Sequence, residues 1–234
     1  MKEFWTLGNN ITPLASLGAS GLKVFFWVTL GASVVSACSS LVKLQSEYPK
    51  TSYYRLDYRL APPAQLLLSP EQRLPEIVFV KGFSIDSEFD TDHILAFTPS
   101  AEIQRYQYHR WISEPRELVT AFVINRLQAS ELFSGGVFAE TSGVIPTVEL
   151  EGRIVEYAGK NAAGANGAVL TMHVAVRRIT DTSSAQTILF QKTYSQSVAR
   201  SSDSAASIPP ALSLALAAAT DSLGKDIVQA LRRK

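Results

Sequence analysis

One cysteine, Cys38, stands at the end of an apolar run, and this feature most constrains what the chain can become. The run reads Val24-Phe25-Phe26-Trp27-Val28-Thr29-Leu30-Gly31-Ala32-Ser33-Val34-Val35-Ser36-Ala37. Its end, Val35-Ser36-Ala37-Cys38, has the form of a lipobox: an aliphatic residue, two small residues, then a cysteine placed to accept acyl chains. A lone cysteine has no internal disulfide partner. The competing readings of the run are an uncleaved anchor and a buried core helix. Its length of about 14 residues falls short of the roughly 20 that span a bilayer, and small residues crowd its end as a peptidase site requires. Residues 1–37 therefore read as a lipoprotein signal peptide, with cleavage before Cys38. The expected lipidation is a diacylglycerol and an N-acyl chain on Cys38, with no other cofactor. Ser39 follows where an Asp would favour retention at the inner membrane, so the outer membrane is the expected address.

Cleavage there removes Lys2 and Lys23 from the 22 Lys+Arg and Glu3 from the 21 Asp+Glu, which leaves a formally neutral mature chain. Without a basic excess to neutralise phosphates, nucleic acid is not an expected partner. No polybasic patch lies beside the anchor to add electrostatic membrane attraction. With no cysteine after Cys38, the fold must be held by packing and polar contacts alone.

Residues 38–52 read as a tether, reaching at most roughly 50 Å when extended, and residues 53–234 as one domain. Tyr53 to Leu60 alternates Tyr54, Leu56, Tyr58 and Leu60 against Arg55, Asp57 and Arg59, a strand pattern. Four prolines (Pro62, Pro63, Pro70, Pro75) interrupt the next stretch. Strands are expected over Ile77 to Phe83, His93 to Thr98 and Glu102 to His109. Ser113-Glu114-Pro115 opens a helix, with Ser113 as cap and Pro115 in the first turn. Leu118, Ala121, Phe122 and Leu127 form its apolar stripe. Thr147 to Tyr157, Ala168 to Ile179 and Gln186 to Val198 read as a meander joined by polar turns. In the last of these strands Ile188, Phe190 and Tyr194 are expected to face one way. A final helix runs from Pro210 to Arg233, with Leu212, Leu216, Leu223, Ile227 and Leu231 at helical spacing. The expected fold class is α+β: a single antiparallel sheet with two helices packed on one face.

Chemistry-bearing patterns are sparse. Asp86-Ser87-Glu88-Phe89-Asp90-Thr91-Asp92 resembles the start of a calcium loop, but Thr91 and Phe97 stand where the loop needs glycine and glutamate. A solvated acidic turn is the expectation, with no metal. His93, His109 and His173 have no zinc spacing and no local nucleophile motif, so the chain is not expected to be an enzyme. Tyr106, Tyr108 and Trp111, with Arg105, Arg110 and Arg116 nearby, have two readings. They anchor the first helix to the sheet, or they form a partner-facing patch of the residue types favoured at interface centres.

Taken with the lipobox, Tyr53-Tyr54-Arg55-Leu56 after the tether and Tyr106-x-Tyr108-x-Arg110-Trp111 running into Glu114-Pro115 resemble the ABC-type transport auxiliary lipoprotein family, which includes the paraquat-inducible operon lipoproteins. The helix from Leu118 to Leu127 and the alanine-rich last helix follow in the same order. The resemblance implies a non-catalytic lipoprotein on the periplasmic face of the Gram-negative outer membrane. Its implied partners are an MCE-domain protein and an ABC permease and ATPase that move lipid or other apolar molecules between membranes. Tyr106, Tyr108, Arg110, Trp111 and Arg116 are the candidate partner interface, and subunits of such assemblies are often symmetric oligomers. The same small α+β architecture also suits an outer-membrane lipoprotein that activates a cell-wall synthase or assists envelope assembly.

Overall fold

Val148–Lys160 is the strand on which the sheet is organised, because both of its edges are used. The structure is a computed structural model that describes residues 49–62, 70–139, 143–162, 166–179 and 187–233. The signal segment, Cys38, most of the tether and the Asp181–Ser184 turn lie outside the described residues. The chain divides after Pro49, and its described strands and helices all belong to the unit Lys50–Lys234. In chain order the strands are β1 (Ser52–Tyr54), β2 (Val78–Val80), β3 (Ser84–Ile85), β4 (His93–Phe97), β5 (Ile103–Trp111), β6 (Val137–Ala139), β7 (Val148–Lys160), β8 (Gly167–Arg178) and β9 (Thr187–Ala199). The helices are α1 (Pro115–Ala129) and α2 (Ile208–Arg232).

Along one edge β7 pairs antiparallel with β8, and β8 pairs antiparallel with β9, which is the expected meander. Along its other edge β7 takes β2, β3 and β4 in succession, all parallel to it. The registers Val78↔Val148, Ser84↔Arg153 and Ala96↔Gly159 show residues 78–97 running beside β7 as one broken strand. β5 pairs antiparallel with β4, while β1 joins β5 and β6 joins β2 in parallel. The sheet is therefore mixed rather than antiparallel. Alternation within a strand reports which face is buried and is silent on the direction of the neighbour.

The breaks in residues 78–97 follow from packing. After β2 the chain turns at Lys81-Gly82-Phe83 so that the Phe83 ring lies on Gly152. A Cβ at Gly152 would come within 2.1 Å of that ring. The expected strand from Ile77 to Phe83 is thus cut to Val78–Val80. After β3 the acidic turn tucks Phe89 into the core, 1% exposed and edge-on to Phe97 at 5.9 Å.

Inward residues Val148, Leu150 and Ile154 of β7 and Leu170, Met172, Val174 and Val176 of β8 are all buried, as their alternation requires. A bulge between Ile154 and Glu156 then hands the inward position to Tyr157. In β9 the register shifts opposite Val176/Arg177, so Leu189 turns toward the core and Ile188 is left 54% exposed. The expectation for Ile188 fails because a bulge breaks period two.

Pro115 occupies the first turn of α1, as expected, but the cap residue is Glu114, and no side chain bonds the end. The buried face of α1 is Val119, Phe122, Val123, Arg126 and Leu127, while Ala121 is exposed. α2 buries Leu212, Leu216, Leu223, Ile227 and Leu231, with Ala211, Ala215 and Ala219 between them. These small side chains let the helix lie close against β7, β8 and β9. Gly159 removes a further obstacle, since a Cβ there would sit 2.6 Å from Ile208.

Arg126 is the most deeply buried charged residue among those described, 1% exposed. Its Nε donates to Asp221 Oδ1 of α2 at 2.8 Å and its Nη2 to Asp221 Oδ2 at 2.7 Å. Nη2 also donates to the carbonyl of Pro62 at 3.0 Å, and Nη1 to those of Tyr58 (3.0 Å) and Ala61. All five guanidinium N–H groups are used. The chain after β1 is held by this group and by Ser213 Oγ, which accepts from Asp57 N–H at 3.1 Å. That is why the expected strand Tyr53 to Leu60 ends at Tyr54: its later backbone groups bond to helix side chains. Removing one partner of a buried pair strands the other, so Arg126→Ala should lower the unfolding free energy by about 3–5 kcal/mol. Urea denaturation measures this.

Candidate functional site

The aromatic segment of β5 and the acidic turn before β4 meet at one end of the sheet. β5 makes a wide irregularity here: Ile94 pairs with Tyr106 and His93 with Arg110, so Gln107 to His109 pass β4 without pairing to it. Tyr108 is 43% exposed as a result. His109 turns back under Tyr54, whose Oη lies 2.8 Å from His109 Nδ1 with the rings stacked. Tyr106 is half-buried, and its Oη accepts from Asn161 at 3.3 Å.

The acidic turn is occupied by arginines. Arg110 donates to Asp92 at 2.9 Å, Arg116 lies 3.5 Å from Asp90 and also pairs with Glu114, and Arg153 Nε donates to Asp86 at 2.6 Å. The hydrogen bond that Arg116 donates to Glu114, with the charges of Glu114 and Asp90, raises the pKa of Arg116, and the bond to Asp86 with its charge does the same for Arg153. The turn is thus tied to β5, α1 and β7 rather than free in solvent. Among the described residues no group of His, Cys, Asp and Glu is clustered to hold a metal ion.

The five candidate interface residues therefore part company. Trp111 is in the core, 3% exposed, with its ring 5.3 Å from that of Tyr157. Arg110 and Arg116 are engaged by carboxylates, Tyr106 is half-buried, and Tyr108 is at the surface. Burial pushes the Tyr157 phenol well above its ordinary pKa, and its hydroxyl has no partner among the described residues. It packs as an apolar ring beneath Trp111.

On the side of the sheet away from the helices, a cleft of about 650 Å³ opens between the β2–β3 connection and the outer face of β7–β9. Its walls include Lys81, Glu151, Arg153, His173, Gln191 and Thr193. Lys81 pairs with Glu149 at 2.9 Å, and Arg177 bridges Glu149 and Glu151 at 3.2 and 3.0 Å. His173 Nδ1 is 2.8 Å from Thr193 Oγ1. The charges lining it are matched within the protein, which suits contact with a neutral polar surface better than capture of an ion.

Where β9 meets α2, Asp226 accepts from Tyr194 Oη at 2.6 Å and from Lys192 at 2.7 Å. Burial works against the Asp226 carboxylate, but the two hydrogen bonds and the lysine charge outweigh it and lower its pKa. Burial, together with the bond to Asp226, raises that of Tyr194. Sequence reasoning missed this link as it missed Arg126. The available signal for Arg126 was its place seven residues after Val119, on the stripe that carries Phe122 and Val123.

No family model matches the chain, and no curated protein matches it. At the level of structure it is similar to the crystal structure of protein XCC0632 from Xanthomonas campestris, described as DUF330. That likeness has 16% identity and a TM-score of 0.64 over 78% of this chain and 98% of the other. It is also similar to the crystal structure of an uncharacterized protein, at 10% identity and a TM-score of 0.58 over 76% of this chain and 99% of that one. At such identities the likeness shows the fold alone.

Trp111→Ala should cost about 3–5 kcal/mol of stability, as deletion of a large core ring does, read from its denaturation midpoint. Asp226→Asn should lower stability at neutral pH by about 1 kcal/mol, a figure discounted for the partial exposure of the group. Because the folded-state pKa of Asp226 is lowered, its contribution is full above the unfolded-state value and is lost as pH falls through the folded-state value. The gap between wild type and variant should therefore close in acid, which urea titrations at a series of pH values would check.

Proposed function

We propose that this chain is a non-catalytic, lipid-anchored periplasmic subunit of an MCE/ABC-type system that moves lipid or other apolar molecules between membranes. Acylated Cys38 holds it on the outer membrane, and its domain docks the transport complex there. The lipobox Val35-Ser36-Ala37-Cys38 supports the address.

The observation that carries the docking role is the placement of the two motifs behind the family resemblance. Tyr53-Tyr54 and Arg110-Trp111 are far apart in sequence yet are partners in one ladder, with Tyr53↔Arg110 and Tyr54↔Trp111. Ile112 N–H continues the ladder to the carbonyl of Tyr54 at 2.8 Å. This edge directly follows the tether, and it exposes Tyr53 (62%), Ile112 (63%) and Tyr108. Large apolar side chains beside the point where the tether joins the domain are the surface a membrane-proximal partner would meet. Of the five candidate residues, Tyr108 is the one assigned to direct contact. Arg110 and Trp111 hold the edge in shape from behind.

Crosslinking of the full-length lipoprotein in its native envelope, followed by mass spectrometry, tests the reading. An MCE protein with ABC permease and ATPase subunits is the expected recovery, reduced by Tyr108→Asp. Recovery of cell-wall synthases or assembly barrels in their place would favour the envelope-assembly alternative.

A further inference from the structure

β9 is a long strand with one partner. It runs for 13 residues, and among the described residues it pairs with β8 only. The direction of its free backbone groups follows from the ladder. Ala199 pairs with Gly167, and in the next step Arg200 N–H donates to the carbonyl of Asn166 at 3.0 Å. Arg200 therefore points its backbone at β8, and so do the even-numbered residues before it as far as the bulge at Leu189. The odd-numbered residues Gln191, Thr193, Ser195, Ser197 and Ala199 present their N–H and C=O groups to the open side.

Exposed edges of this kind are ordinarily guarded by charge, proline or short length. None of these protects this one. The five outward residues are uncharged and include no proline. The single charge within β9 is Lys192, and its ammonium is drawn to Asp226 on α2. The bulge at Leu189 lies at the far end and leaves Phe190 to Ala199 in regular register with β8.

We propose that β9 is an interface with a second copy of this chain, the two strands pairing antiparallel about a twofold axis at Ser195. The strand is self-complementary in that register. Ser195 meets Ser195, Thr193 meets Ser197 and Gln191 meets Ala199, so all five outward residues of each copy bond to outward residues of the other. Thr–Ser neighbours are favourable cross-strand pairs. On the alternate face Lys192 meets Val198 and Tyr194 meets Gln196, so no like charges stand opposite each other. A twofold axis closes the assembly at two copies, because each β9 has one free edge and pairing consumes it. The two sheets become continuous across the joint.

The test uses the full-length lipoprotein in detergent, with mass read by sedimentation and contacts by oxidative crosslinking. The expected result is a dimer in which Ser195→Cys crosslinks between copies. Residues opposed in an antiparallel ladder have Cα atoms about 5.5 Å apart, within disulfide reach. Thr193→Cys alone should not crosslink, whereas Thr193→Cys mixed with Ser197→Cys should, and unsubstituted protein with its single Cys38 sets the background. Ser197→Pro removes an outward N–H that the monomer does not use, so it should give monomers of unchanged circular dichroism. A monomeric wild type, or Ser195→Cys chains that crosslink no more than the unsubstituted protein, would overturn the proposal.

Discussion

A single buried guanidinium joins three parts of this domain. Arg126 on α1 binds Asp221 on α2 through two of its nitrogens and takes three carbonyls from the segment Tyr58 to Pro62. Helix–helix packing and the course of the chain after β1 are thereby set by one side chain. A charge is stable at this depth only when every donor is used and an opposite charge lies alongside. The site satisfies both conditions. Apolar packing alone would permit α1 to slide along α2, whereas a bidentate pair fixes one relative position.

The same logic of mutual satisfaction extends outward. The acidic turn looks like a ligand site in sequence and is instead a set of ion pairs that pin it to β5, α1 and β7. The outer cleft is lined by charges already matched within the protein. Among the described residues, the uncharged groups left exposed include the rings of Tyr53 and Tyr108 and the outward backbone of β9.

The amphipathic pattern of the long elements is legible in the sequence. β7, β8 and α2 bury the residues that periodicity assigns to their inward faces, since alternation and helical spacing directly record which side meets the core. Strand direction is not legible there, because Val78–Val80 carries the same apolar pattern whether its neighbour runs parallel or antiparallel. Nor are the bulges that turn Tyr157 inward and Ile188 outward, which depend on one unpaired residue each. At the candidate site, Trp111 reads in sequence as an aromatic anchor or a contact residue, and the fold buries its ring against Tyr157. Arg110 and Arg116 could not be paired with Asp92 and Asp90 from sequence, as those contacts exist only once residues 78–97 are laid beside β7.

That arrangement also governs the order in which the chain can fold. β2, β3 and β4 come together as one edge only when β7 arrives, some sixty to seventy positions later, and α1 lacks Asp221 until α2 is made. The first half of the domain therefore emerges as an incomplete structure with open apolar segments, waiting for its second half. Contacts this distant carry a high loop-closure cost and make folding slow. Such lateness leaves the leading portion unable to lock prematurely: it completes only when its tail has followed.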